Sequence, residues 1–305
     1  MALADEALKR GLQVRFSVQT AYTAKILEAS GYALADNRDI VAPHVIRDFR
    51  GGSSEEEVRR QRLKGSRVML IDDHGPGRTV ANMVTDAFMT TESAQALIHA
   101  DDVEYLYGLE YAPLRRQFLE RRQGQKARSA NDGRLCIAFG GSDPTETTQK
   151  FISALTKVGF RGPATIIADG SPEGYRSASE LTNLWQDTVI YQQVADMAVL
   201  MAQADLVATK VGITLLESYC LGKGCVFIEP SPAHVALEAE LAGHYASWPA
   251  LEFGLADEVN FIEVATKTLE ILADPQRIFE MGTAAAKLVD GKGTVRLIDA
   301  LTGVN

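Results

Sequence analysis

Beyond residue 133 the chain alternates short apolar strands with helices of about ten residues. Such alternation restricts a chain to parallel βαβ units, with helices covering both faces of the sheet. GRLCIAFGG (133–141) reads as a strand entering a glycine turn, followed by the helix TETTQKFISALTKVG. PATIIAD is a strand, SASELTNLW a helix, MAVLMAQA a helix, DLVATKV a strand, TLLESYCLG a helix and GCVFIEP a strand. Helix is expected from there to the C-terminus. The first half follows the same scheme less clearly. ADEALKRG and YTAKILEASG are helices that each end on a glycine, the residue suited to a left-handed C-terminal position. LQVRFSV, SRVMLIDD and DAFMTT read as strands. In SSEEEVRRQRLKG, Ser53 and Ser54 stand three residues before Glu56 and Glu57, the spacing of a capping box at a helix start.

The expected fold is therefore α/β, with two doubly wound Rossmann-like domains. Residues 1–121 form the first, the polar stretch 122–133 a linker, and residues 134–305 the second with its C-terminal helices. A doubly wound domain opens with a strand and a glycine-rich turn before its first helix. This sequence opens on the helix, so the first domain is expected to be incomplete by one strand.

Composition excludes several functions. Net charge is −9, with 19 basic against 18 acidic residues up to 130 and 12 against 22 beyond it. An acidic half of that size is a poor partner for phosphate backbones, so no nucleic acid is expected. No apolar run approaches the roughly 18 residues of a membrane span. Cys136, Cys220 and Cys225 form no Cys-x-x-Cys pair, which suits a reducing cytoplasm. No His/Cys/Asp/Glu spacing indicates a metal site, and no cofactor is expected.

Open α/β sheets bind ligands at the carboxyl ends of their strands, beside helix N-termini whose free N–H groups attract anions. Two turns fit. In FGGSDP (139–144), Gly141 and Ser142 lead into a helix; in KVGIT (210–214), Gly212 and Thr214 open another, with Glu217 one turn on. A carboxylate there is placed to accept hydrogen bonds from vicinal ribose hydroxyls. Asp72 and Asp73 end a strand on the ligand side and are candidates for acid–base work, as is His234; no catalytic residue is assigned.

FGGSDP, VADMAVLMAQADL (194–206) and TLLESYCLG (214–222), with IDD (71–73) and YAPLRRQF (111–118) upstream, occur in a characteristic order. In these motifs the chain resembles the UDP-sugar hydrolases of pseudaminic acid biosynthesis, a family of glycosyltransferase-B fold, as far as about residue 245. The resemblance implies a UDP-activated diacetamido-trideoxyhexose as substrate and water attack at the anomeric carbon, within nonulosonate or other surface-glycan and flagellin-modification chemistry. It implies nucleotide contacts at Gly141, Ser142, Val194, Met197, Gly212, Thr214, Leu215 and Glu217. A monomer is expected, with other pathway proteins as partners.

Three departures accompany the resemblance. The family's Gly-His loop has no counterpart in this sequence. Its Gly-Gly-Ser-Thr turn reads Val211-Gly212-Ile213-Thr214, and its Asp-Asn-Gln run reads Ser231-Pro232-Ala233-His234. A non-catalytic homologue with weak UDP binding, and a UDP-sugar glycosyltransferase, are the alternatives.

Overall fold

The computed structural model describes residues 1–35, 41–49, 51–95, 97, 99–124, 132–141, 143, 145–168 and 170–304, backbone alone at 123 and 124. The chain divides into two units: Met1–Arg116 with Lys292–Asn305, and Gln117–Gly291. In chain order the first unit contains α1 (Ala2–Lys9), α2 (Ala21–Ala29), β1 (His44–Asp48), α3 (Glu55–Leu63), β2 (Arg67–Ile71), β3 (Met83–Asp86), α4 (Thr91–Gln95) and β4 (Glu104–Tyr107). Helix α5 (Arg116–Gly124) leads into the second unit. There follow β5 (Leu135–Ile137), α6 (Thr147–Lys157), β6 (Ala164–Ile167), α7 (Pro172–Leu181), β7 (Thr188–Tyr191), α8 (Met197–Ala202) and β8 (Leu206–Thr209). Then come α9 (Ile213–Cys220), β9 (Gly224–Glu229), α10 (Pro232–His244), β10 (Ala250–Leu255), α11 (Phe261–Leu272) and α12 (Pro275–Leu288). The last helix, α13 (Gly293–Thr302), belongs to the first unit.

In the first unit, β1-β2-β3-β4 form one parallel sheet in chain order. Alternation along the strands builds a core on each face. Met69, Met83 and Leu106 meet Leu3 and Ala7 of α1 and Leu297, Ile298 and Leu301 of α13. Their strand neighbours Val68, Leu70 and Val84 point the other way, toward Val58 of α3. Arg10 joins α1 to α13 through Asp299 at 2.5 Å. The capping box at α3 forms: Ser54 accepts from the Glu57 N–H at 3.2 Å, and Glu57 accepts from the Ser54 N–H at 3.1 Å. Gly11 and Gly31 end α1 and α2 at φ 79° and 82°, the left-handed region that a side chain disfavours.

The second unit carries a six-stranded parallel sheet ordered β10-β9-β8-β5-β6-β7. Strands β5, β8 and β9 are buried along their whole length, while the outer strands β7 and β10 are only half-buried. Helix α6 packs against α7 and α11, and α12 against α9 and β9. Phe151, Leu155, Ile137 and Ile166 are central to this core.

Several expectations change. Residues 12–18 do not form a regular strand; Phe16 and Leu34 make one isolated parallel bridge. The strand expected at 86–91 lies earlier, at Met83–Asp86, because Asp86 turns the chain by accepting the Phe88 N–H at 2.9 Å. Strands β1, β4, β7 and β10 were not expected: HVIRD, EYLY and TVIY are short and partly polar, as half-exposed strands are. β10 interrupts the helix expected to run to the C-terminus. The unit boundaries also differ, because the apolar stripe of α13 completes the first unit's core rather than the second's. Arg122 lies within α5 rather than in a solvated linker. Its guanidinium donates to the carbonyls of Cys220 and Ala286, each at 2.8 Å, near the C-termini of α9 and α12. Residues 125–131 of the expected linker lie outside the described residues.

Candidate functional site

Numbered from its own first strand, the six-stranded sheet has the order 3-2-1-4-5-6. The order reverses between β5 and β8, and a crevice opens outside the carboxyl ends of the two strands at such a reversal. The Ala138 N–H donates to the Ala208 carbonyl at 2.9 Å, and the Thr209 hydroxyl donates to the Ala138 carbonyl at 2.8 Å. These bonds hold the turn after β5, reaching Gly141, beside the turn after β8, Lys210–Gly212. A Cβ placed on either Gly141 or Gly212 would meet nothing within 4 Å among the described residues.

A cavity of about 260 Å³ lies at this end of the sheet, lined by Phe139, Asp143, Thr147, Lys210, Ser231 and His234 among others. Asp143 reaches the start of α6, where its carboxylate accepts from the Thr147 N–H at 2.9 Å and the Thr148 N–H at 2.7 Å. The anion site at that helix end is therefore filled by the chain's own carboxylate. Asp143→Ala is expected to lower stability by about 1 kcal/mol, as loss of a capping carboxylate does; a denaturant midpoint equal to the parent's would show that the cap contributes nothing. The start of α9 differs. Its N-cap is Gly212, at φ 154°, with no side-chain cap.

Beneath the α9 turn lies Glu229, fully buried, whose Oε1 accepts the Val211 N–H at 2.8 Å while Oε2 has no partner among the described residues. Burial pushes its carboxyl up to about 7, against the opposing pull of the Val211 N–H and Lys210. His234 shares a 2.7 Å hydrogen bond through Nδ1 with the Ser231 hydroxyl. Burial, and then the Lys210 charge, lower its pKa and favour the neutral ring.

The comparisons with known proteins agree with this architecture. No family model matches the chain. It is 26% identical, over 73% of its length, to the uncharacterized protein MJ1062 of Methanocaldococcus jannaschii. Identity to the spore coat polysaccharide biosynthesis protein SpsG of Bacillus subtilis is 27% over 53%. The chain spans about half the length of these two relatives, 50% and 48%. It is 24% identical to a UDP-N-acetylglucosamine–N-acetylmuramyl-(pentapeptide) pyrophosphoryl-undecaprenol N-acetylglucosamine transferase of Geobacter sp. strain M21, covering 97% of this chain and 86% of the relative. Among solved structures, Acinetobacter baumannii MurG matches with TM-score 0.68 and 16% identity over 99% of this chain and 94% of that one. Anabaena HepE in complex with UDP and glucose matches with TM-score 0.57 and 14% identity, over the same shares. The chain has the glycosyltransferase-B fold.

In this glycosyltransferase-B chain the residues expected at the nucleotide are distributed unevenly. Gly141, Gly212 and Thr214 stand at the two turns of the switch point; Ser142 lies outside the described residues. Val194 is half-buried before α8, and Met197, at the start of α8, is buried. Leu215 has its side chain fully buried, and its N–H donates to the Gly212 carbonyl at 3.1 Å. Glu217 is buried at 6% exposure in α9. Val211, where the family's turn has its first glycine, is buried at 2% exposure and packs inward, whereas Ile213 is exposed. The three cysteines are free and buried, and burial raises each thiol, which makes them poor nucleophiles.

Asp72 and Asp73 sit in different surroundings. The Asp73 carboxylate is buried and accepts the N–H groups of Ser53 at 2.9 Å and Gly75 at 2.8 Å, tying the end of β2 to the loop before α3. Asp72 is exposed, at φ 47°, and meets His74 Nε2 at 3.2 Å. Asp86, from the end of β3, brings a carboxylate toward the same ring, and the ligand atoms of Asp72, His74 and Asp86 lie within 4.8 Å of one another. Burial raises the Asp86 pKa, and the nearby Asp72 charge raises it further. Nothing in the sequence signals this grouping, because the parallel pairing of β2 and β3 joins residues fourteen apart. Lys210 was missed for a different reason: a lysine in a loop carries no signal until the loop is placed.

Proposed function

We propose that this chain binds a UDP-activated sugar at the carboxyl ends of β5 and β8 and transfers the sugar to an acceptor hydroxyl in polysaccharide assembly. The observation that carries the reading is the similarity to UDP-N-acetylglucosamine-dependent transferases, which extends over 96–97% of the chain. The switch-point cavity and the uncapped start of α9 support it. Transfer breaks the bond between the anomeric carbon and the diphosphate oxygen as the acceptor oxygen bonds to that carbon. The leaving UDP takes the electron pair, and the first N–H groups of α9 stabilise its charge. The acceptor's proton passes to a base. Within the cavity His234, with a neutral ring and Nδ1 engaged by Ser231, has that capacity.

The hydrolase chemistry implied by the sequence resemblance sends the same sugar to water instead, and the relatives favour transfer over it. UDP release from UDP-N-acetylglucosamine, measured with and without a panel of sugar and lipid-linked acceptors, distinguishes the readings. Acceptor-dependent release is expected. Release at the same rate without acceptor would restore the hydrolase, and UDP binding with no release at all would mean a non-catalytic homologue.

No helix of the described residues is long and apolar enough to cross a membrane.

A further inference from the structure

At the carboxyl ends of β2 and β3 the first unit gathers three side chains whose donor atoms converge. Parallel pairing sets Ile71 beside Thr85, so the residues that follow them, Asp72 and Asp86, leave the two strands side by side. The Asp72 N–H donates to the Thr85 carbonyl at 3.0 Å, which pins the strand ends together. His74 stands between Asp73 and Gly75, and the Asp73 carboxylate holds the N–H groups of Ser53 and Gly75, which fixes the loop that carries the ring. The ring's Nε2 lies 3.2 Å from Asp72 Oδ1 and 4.0 Å from Asp86 Oδ2. One nitrogen thus faces two carboxylates, and a single N–H can point along only one of those directions.

Asp86 is nine-tenths buried, at 9% exposure. Its Oδ1 accepts the Phe88 N–H at 2.9 Å, whereas Oδ2 accepts no hydrogen bond among the described residues and faces the ring nitrogen. A buried carboxylate oxygen left without a partner is costly, and a cation seated between it and the ring removes that cost. Arg78, whose field reaches Asp86, does not fill this role. Its terminal nitrogen donates to the Tyr107 hydroxyl, and it forms no ion pair with Asp86 among the described residues.

We propose that Asp72, His74 and Asp86 form a divalent-cation site in the first unit, taking a borderline ion such as Zn2+, Co2+ or Mn2+. An imidazole with two carboxylates suits these ions better than Mg2+ or Ca2+, which prefer oxygen donors alone. Two donors each about 2.1 Å from a tetrahedral ion stand about 3.4 Å apart. The separations of 3.2 and 4.0 Å bracket that value, and the ligand atoms of all three residues lie within 4.8 Å of one another. Asp72 and His74 have exposed side chains that can close the remaining gap by rotation, while buried Asp86 fixes where the ion sits. Their exposed side leaves room for water on the ion, as in other sites with three protein ligands. The site lies within one unit and does not depend on nucleotide binding.

Calorimetric titration of the metal-stripped full chain with ZnCl2 and CoCl2 tests this, on the parent and on His74→Ala and Asp86→Asn. The parent is expected to take up one ion per chain. Each variant is expected to bind it at least tenfold more weakly, since loss of an outer partner of a metal ligand alone costs roughly 10–100-fold. Asp86→Asn keeps an oxygen for the Phe88 N–H and the His74 ring is exposed, so both variants should unfold in urea near the parent's midpoint. In NMR spectra of the parent, paramagnetic Co2+ should broaden the His74 ring resonances before those of His44, His99, His234 and His244. A parent that binds neither ion, or affinities unchanged in both variants, overturns the proposal. So does Co2+ that broadens another histidine first, because the ion then sits elsewhere. If Asp86→Asn fails to fold, His74→Ala and the Co2+ spectra decide the matter.

Discussion

Raising the pH from 5 to 9 should destabilise the second unit by about 3 kcal/mol or more, and Glu238→Gln should remove a large part of that loss. Glu238, on α10, is buried at 3% exposure, and its Oε1 has no partner among the described residues. Burial pushes its carboxyl up to about 9, with Glu252 and Glu229 adding repulsion. Glu229, fully buried, is pushed up to about 7. The unfolded chain ionises both groups near 4.5, so it releases their protons first as the pH climbs. Their contribution is complete below about 4.5 and is lost as the pH passes 7 for Glu229 and 9 for Glu238. Each pKa unit corresponds to about 1.4 kcal/mol, so even half of these shifts acting in full gives the figure above. Urea unfolding at pH 5, 7 and 9 measures it, followed by the fluorescence of Trp185 and Trp248, both in the second unit. A stability independent of pH across this range, or a slope unchanged by Glu238→Gln, would show that these carboxyls ionise freely in the folded chain.

Phe151→Ala should cost about 3–5 kcal/mol, the range for truncating a fully buried aromatic side chain. Phe151 is 0% exposed on α6, where it fills the space over β5 and meets Phe139 edge-to-face with ring centroids 6.2 Å apart. Phe139 in turn lines the switch-point cavity, so the vacancy opens directly behind the candidate site. The same urea titration reads this loss. A fall below about 1 kcal/mol would mean that α6 collapses into the space left by the ring, which the packing of α7 and α11 against it opposes. UDP affinity of the folded variant, measured beside stability, should fall as well if the ring supports the cavity lining.

The second unit was more legible in the sequence than the first. LCIAF, LVAT and GCVFIE are almost wholly apolar, with Thr209 and Glu229 at the ends of the last two, because central strands of a covered parallel sheet are buried on both faces. Such runs announce themselves without any partner. HVIRD and TVIY do not, since each leaves part of its surface exposed and reads like loop. The glycine turns were visible for the same kind of local reason: Gly141 and Gly212 follow strands and precede helices. Leu215 was assigned to the nucleotide by position in a motif; its side chain is fully buried within α9, a direction that the motif position by itself does not state. Asp73 gives the same lesson. Its carboxylate looked available at a strand end, yet the N–H groups of Ser53 and Gly75 occupy it.

What the sequence determined by itself is the set of local choices. Strand and helix alternation, the Ser54–Glu57 box, the glycines ending α1 and α2 and the two glycine turns at Gly141 and Gly212 all follow from neighbours within a few residues, where steric and hydrogen-bonding preferences act without help. Strand order is different in kind. Nothing in the chain from 135 to 255 states that β8 pairs with β5 instead of β7, and that pairing alone creates the reversal at which the cavity opens. Only the tertiary structure returned α13 to the first unit, gathered Asp72, His74 and Asp86, and set Lys210 against a carboxylate already committed to Val211. These arrangements depend on burial and on contacts between residues far apart in sequence, and both come into being only when the sheets assemble.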